Sequence, residues 1–164
     1  VNTVTLCETT TRKQRDDRMI KINENELSKP LKIIMGDSFK SRKIRTILAE
    51  HVWEHLSYEE GVEAARICYD FLEPQGYIRC AVPDAFFRDG WFVHNYKTIT
   101  SMFEEAGFTI RLLEYCDEGG EFHYNDWNPE DGFIHRSFRF DHRNKNNELG
   151  FVSLIVDAIK ELSE

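Results

Sequence analysis

Ile47-Leu48-Ala49-Glu50-His51-Val52-Trp53-Glu54-His55-Leu56 is the stretch on which the reading of this chain turns. It begins as the end of a short apolar strand, Ile44 to Ala49, and becomes polar at Glu50-His51. A helix start follows. Ser57 offers an N-cap, and Glu60, three residues on, completes a capping box. Val62, Ala65, Ile67, Cys68, Phe71 and Leu72 recur at helical spacing, which predicts a helix from Tyr58 to Leu72. Glu73-Pro74-Gln75-Gly76 stops it, because proline cannot continue a helix and glycine readily takes the turn geometry. Tyr77 to Val82 reads as a second buried strand, ended by Pro83-Asp84.

The same pattern continues outward. Lys97 to Ala106 is expected to be a helix stopped by Gly107, and Phe108 to Tyr115 a third strand. Residues 117–147 form a long polar and aromatic excursion, and Phe151 to Ala158 a last strong strand. Residues 1–30 are weakly patterned: Val1 to Leu6 alternates like a short strand, and Thr9 to Lys29 reads as a loop or a poorly anchored helix. Strands that alternate with helices and read as near-continuous apolar runs indicate an α/β fold with a mostly parallel sheet. No helix is expected between the last two strands, so they are expected to pair antiparallel at the C-terminal edge. The whole chain, 1–164, is expected to be one domain.

Composition narrows the function classes. At 164 residues the chain can bury a real core. A formal net charge of −8 argues against non-specific binding to nucleic acid or to anionic membranes. No apolar run approaches the ~20 residues that span a bilayer, and no signal-peptide core is visible. Cys7, Cys68, Cys80 and Cys116 form no C-x-x-C pair, which suits thiols in a reducing cytoplasm.

His51-Val52-Trp53-Glu54-His55 also spells H-x-x-E-H, an inverted zinc-protease motif. On a helix its two histidines would share one face and ligate zinc, with the glutamate polarising a water. The helix cap, however, falls after the motif, at Ser57, so residues 50–56 are expected to be a turn and no metal is assigned.

The alternative rests on strand ends. In a parallel sheet the carboxyl ends of the strands open on a ligand crevice, and Glu50-His51 and Pro83-Asp84 stand at two such ends. Ile47 to Leu56, then a helix, then Phe71-Leu72-Glu73-Pro74-Gln75-Gly76-Tyr77-Ile78-Arg79-Cys80-Ala81-Val82-Pro83-Asp84, resembles the second half of class I S-adenosylmethionine (SAM)-dependent methyltransferases. The pattern there is a strand, a V-x-E-H-L segment, a helix ending in L-x-P-G-G and a strand ending in V-P-D. Gln75 stands where that pattern has its first glycine. Further on, Phe103-Glu104-Glu105-Ala106-Gly107-Phe108, Phe122-His123-Tyr124-Asn125 and Phe138-Arg139-Phe140-Asp141-His142-Arg143-Asn144 resemble a bacterial group of methyltransferase type 11-like proteins.

The resemblance implies a Rossmann-like methyltransferase sheet, SAM as cofactor and a small-molecule or glycan-type methyl acceptor. It puts Ala49, Glu50 and His51 along the methionine and methyl side of SAM and Glu8 at the ribose hydroxyls. His51, a side chain of a type whose unperturbed pKa lies near neutrality, is expected either to be the general base or only to line the pocket. No Gly-rich cofactor loop occurs ahead of Ile44. The sheet is therefore expected to be incomplete on that side, which implies either weak cofactor binding and a scaffold role, or pairing with a second copy.

The excursion carries Phe122, Tyr124, Trp127, Phe133, Phe138 and Phe140, together with His123, His135 and His142. It is expected either to pack on itself over the sheet edge or to act as a substrate lid. As a lid it would bind rings through its aromatics and anions through its arginines. Pro83, Asp84, His123, Tyr124, Trp127 and Arg136 are the substrate-side candidates.

Overall fold

The computed structural model describes residues 3–7, 21–22, 44–87, 92–146 and 148–162. Strands β1 (Thr3–Cys7), β2 (Lys21–Ile22) and β3 (Ile44–Glu50) come first. Helix α1 (Tyr58–Phe71), strand β4 (Leu72–Pro83) and helix α2 (Tyr96–Glu105) follow. Strands β5 (Thr109–Cys116), β6 (Phe122–Tyr124) and β7 (Ser153–Ile159) complete the sheet. The strand order is β2-β1-β3-β4-β7-β5-β6.

Pairing is parallel from β2 through β1 and β3 to β4. It is antiparallel from β4 through β7 and β5 to β6. The expectation of parallel strands thus holds for one half of the sheet. The last two long strands do pair antiparallel, but β7 lies between β4 and β5 and the short β6 is outermost. Its residues explain this: Ser153 to Ala158 are buried on both faces, which an edge position would not allow. On the other side, Thr3–Cys7 runs beside β3 over Thr46 to Glu50, where an incomplete sheet was expected.

Helix α1 begins at the cap the sequence places, and α2 begins one residue ahead of its expected start. The Ser57 hydroxyl accepts from Glu60 N, and the Glu60 carboxylate accepts from Ser57 N. Asn95 and Thr98 form the matching box for α2. The helices cover one face of the sheet, packing on Ile47, Ala49, Ile78, Cys80, Val82, Leu154, Val156 and Ala158. Trp53 is fully buried in this layer, donates its indole N–H to Gly61 O and packs on Phe103 at 5.2 Å. A Cβ at Gly61 would stand 2.3 Å from Met102 Sδ, so glycine lets α1 approach α2. Burial pushes the Cys68 and Cys116 thiols up to about 12, which makes them inert packing groups.

The excursion covers the opposite face rather than the sheet edge. Trp127 and Ile134 pack on Ala81, Leu113 and Ile155. Arg79 of β4 and Asp157 of β7 form a buried two-bonded ion pair, both contacts at 2.8 Å. Arg79 Nη1 also donates to Asn128 O and Gly132 O, fixing the excursion to the sheet. Gly132 has φ +154°, and a Cβ there would lie 2.6 Å from Leu48 Cδ2. Among the described residues no helix is long and apolar enough to cross a membrane.

Candidate active site at the strand ends

The carboxyl ends of β3 and β4, the start of β7 and the tip of the β5–β6 hairpin share one edge of the sheet. The chain leaves β3 through His51, whose φ of 57° is uncommon for a residue other than glycine. That turn is set by a backbone bond from His51 N to Ala81 O at 2.8 Å. It puts the His51 ring inside the protein, 3% exposed, 6.0 Å from the Phe151 ring. The H-x-x-E-H residues do not form an α-helix: Trp53–His55 is a single 3-10 turn, and His55 faces solvent while His51 is buried. Its two histidines therefore do not converge as a zinc pair.

Glu50, 13% exposed at its side chain, accepts from Arg136 N at 2.7 Å and lies 3.2 Å from His135 Nδ1. One carboxylate thus clasps the excursion to the end of β3. Ala49 is fully buried in the helix-side core. Asp84 is also fully buried: it accepts from Phe86 N at 2.8 Å and Cys116 N at 2.7 Å, tying β4 to β5. Burial raises its pKa, and those two N–H groups oppose the rise. Pro83 is buried opposite Ser153.

Ala49, Glu50, His51, Pro83, Asp84 and Arg136 therefore meet at this edge. His123 lies farther along it, on β6, stacked on Tyr115 and 2.8 Å from Asp117 Oδ2. Asp117, Glu121 and His123 are close enough to share a metal ion. His135 stays with Glu50 and is not part of that group, and His142 sits beside Asp141. Tyr124 is part-exposed on β6, with the Arg139 guanidinium 5.8 Å from its ring centroid. Trp127 is buried and donates to Glu114 Oε1 at 2.9 Å, so it anchors the excursion. Burial raises the Glu114 pKa, against the Phe138 N–H and that indole N–H. Glu8 lies outside the described residues.

Three buried side-chain atoms among the described residues have no hydrogen-bond partner: Glu54 Oε2, His94 Nδ1 and Ser137 Oγ. All belong to segments at this edge. Glu54 follows the turn after β3, Ser137 follows the residue held by Glu50, and His94 pairs with Asp84 beyond β4. Buried polar atoms left unpaired cost free energy and call for a physical account. His94 Nε2 lies 3.3 Å from Trp53 O, so Nε2 carries the proton and Nδ1 is a bare acceptor. Burial lowers the His94 pKa, and the Trp53 carbonyl and Glu54 charge oppose this. Glu54, His94, Ser137 and Ser153 are not among the site residues read from the sequence, and the place of Glu54 in H-x-x-E-H suggests a different chemistry.

A strand, a polar turn at Glu50-His51, a capped helix and a strand ending Val82-Pro83-Asp84 are now placed side by side in one sheet, with the polar ends on one edge. This is a Rossmann-like α/β arrangement. The chain is similar to a SAM-dependent methyltransferase from Archaeoglobus fulgidus (18% identity, TM-score 0.46), over 85% of this chain and 67% of that one. It is similar to the apo form of the S-adenosylmethionine-dependent methyltransferase SibL (15% identity, TM-score 0.46), over 89% of this chain and 37% of that one. It is also similar to a chain of the complex between the Haloferax volcanii Trm112 methyltransferase activator and a methyltransferase (10% identity, TM-score 0.47), over 92% and 65%. The chain spans from about one third to two thirds of the length of these proteins. No family model and no curated protein matches it.

Proposed function

We propose that this chain is a methyltransferase domain that uses SAM to methylate a small-molecule or glycan-type acceptor. The observation that carries the reading is that two buried acceptors without partners, Glu54 Oε2 and His94 Nδ1, adjoin the carboxyl ends of β3 and β4, the edge where such sheets take ligands. Glu54 Oε2 and His94 Nδ1 are acceptors that suit the ammonium and hydroxyl donors of SAM, and the Ser137 hydroxyl both donates and accepts. The Glu50-His51 turn is the wall along which its methionine part would lie.

When bound, SAM supplies a methyl group on a sulfonium, whose bonding pair returns to sulfur as the acceptor oxygen takes the carbon. The protein's work is to hold the acceptor in line and to receive its proton. His51 is the group for that proton. Arg136 and the part-exposed Tyr124, in the covering excursion, are the acceptor-side contacts.

A second reading has its own observation: the Glu50 carboxylate is already engaged by His135 and Arg136, as in a closed scaffold with no cofactor. Calorimetry with SAM and with S-adenosylhomocysteine separates the two. Saturable heat supports the enzyme, and its absence leaves the scaffold. Transfer of labelled methyl from SAM to catechol or methyl glucoside is the matching test of activity.

A further inference from the structure

Glu54, His51 and Ser153 form a buried line that the fold builds from three separate segments. Glu54 Oε1 is 3.1 Å from His51 Nδ1, and Ser153 Oγ is 3.3 Å from His51 Nε2. A carboxylate only accepts, so the proton in the first contact is on Nδ1. The neutral ring then has its lone pair on Nε2, and the Ser153 hydroxyl donates to it. Each member is placed by the backbone. The positive φ at His51 turns the ring beneath the strand end. The 3-10 turn brings Glu54 back under it. The pairing of β7 with β4 fixes Ser153 opposite Pro83.

His51 and Ser153 are almost wholly buried, and both ring nitrogens are engaged. With Nδ1 held by Glu54 and Nε2 by Ser153, the ring takes a proton through the hydroxyl it already holds. Ser153 opens β7 next to Phe151, whose ring contacts those of both His51 and the part-exposed Phe92.

We propose that Glu54 is a positioning residue that holds His51 as its Nδ1–H tautomer, and that Ser153 relays the methyl acceptor's proton to Nε2. The inference deepens the methyltransferase reading and rests on it. As the acceptor oxygen bonds to the methyl carbon, its proton passes to Ser153 Oγ while the proton of Ser153 passes to His51. The electron pair of the broken carbon–sulfur bond stays on the sulfur of SAM. His51 ends as an imidazolium beside the Glu54 carboxylate, which stabilises that charge.

The test is the nitrogen NMR spectrum of the full chain labelled at histidine nitrogens, with the His51 signals assigned by their loss in His51→Gln. The unmodified protein is expected to show a protonated Nδ1 and a bare Nε2. Glu54→Gln offers an amide that can donate to Nδ1, so the ring is expected to move to the Nε2–H form; Glu54→Asp is expected to restore Nδ1–H. With labelled SAM at saturation and catechol varied, kcat of Glu54→Gln and of Ser153→Ala is expected to fall roughly 100-fold or more while the KM for catechol stays within about threefold, the scale of lost general-base catalysis.

A bare Nδ1 in the unmodified protein overturns the proposal, as does a tautomer untouched by Glu54→Gln. Hydrolysis of p-nitrophenyl acetate that depends on Ser153 also overturns it, because Ser153 would then be a nucleophile. If the unmodified protein transfers no methyl, the function reading and the catalytic role fall together, while the NMR result still decides whether Glu54 sets the ring.

Discussion

His94 shows how one buried side chain can make the strand-end edge sensitive to pH. Its ordinary value of 6.5 is lowered by burial, so the folded protein binds that proton less readily than the unfolded chain does. The stabilisation is therefore complete above pH 6.5 and lost as pH falls through the lowered folded value. Urea midpoints measured on both sides of pH 6.5 are expected to drop on the acid side, and to drop less in His94→Gln. An equal drop in the two proteins would show that the acid sensitivity lies elsewhere. His94 also shows why part of the site is illegible in sequence. Glu50-His51 and Pro83-Asp84 could be read because a polar pair closing an apolar run breaks a pattern. His94, Ser137 and Ser153 break none, and only the pairing of distant segments brings them to the edge. The Glu50 carboxylate was legible as a strand-end group, but its clasp on residues 135–136 depends on how the excursion folds back.

At the scale of elements, local signals held well and non-local ones did not. Capping boxes and stop residues fix α1 and α2 within a residue or two because their physics lies inside a few residues. Replacing Ser57 by alanine is expected to cost about 1 kcal/mol, read by denaturant titration, since Glu60 N loses its acceptor. The seat of β7 between β4 and β5 depends on partners far away in sequence, and an apolar strand does not say which neighbours will take it. The excursion shows the same limit. Its aromatic content announces a packed segment, whereas the Arg79–Asp157 pair beneath it decides that it covers a face. Arg79→Met leaves the Asp157 carboxylate buried and unpaired, which is expected to cost about 3–5 kcal/mol. The double change Arg79→Met with Asp157→Leu is expected to recover much of that loss. Faster proteolysis within residues 127–134 in Arg79→Met alone would show that the pair holds the excursion down. An unchanged cleavage rate would show that Trp127 and Ile134 hold it without the pair.

The whole molecule is a parallel half-sheet joined at β4 to an antiparallel half-sheet, with helices on one face and an irregular aromatic layer on the other. Strand β1 occupies the position beside β3, so β3 presents no open backbone edge and the case for strand pairing between copies there disappears. The sequence supported the α/β class and the polar residues at the ends of β3 and β4. It left this closure unread, because Val1 to Leu6 is too short and too polar to declare a place in a sheet. A ligand bound across strand ends that come from several segments should stabilise all of them together. If S-adenosylhomocysteine binds the folded chain and not the unfolded one, a concentration a hundredfold above its Kd adds about 2.7 kcal/mol. For a chain of this size that corresponds to a rise in Tm of roughly 5–10 °C. The rise is expected to grow with the logarithm of ligand concentration, which separates specific linkage from a general solvent effect. A melting curve unmoved by millimolar S-adenosylhomocysteine would mean that the strand ends at Glu50, His51 and His94 do not hold this cofactor, and the closed-scaffold reading would then stand.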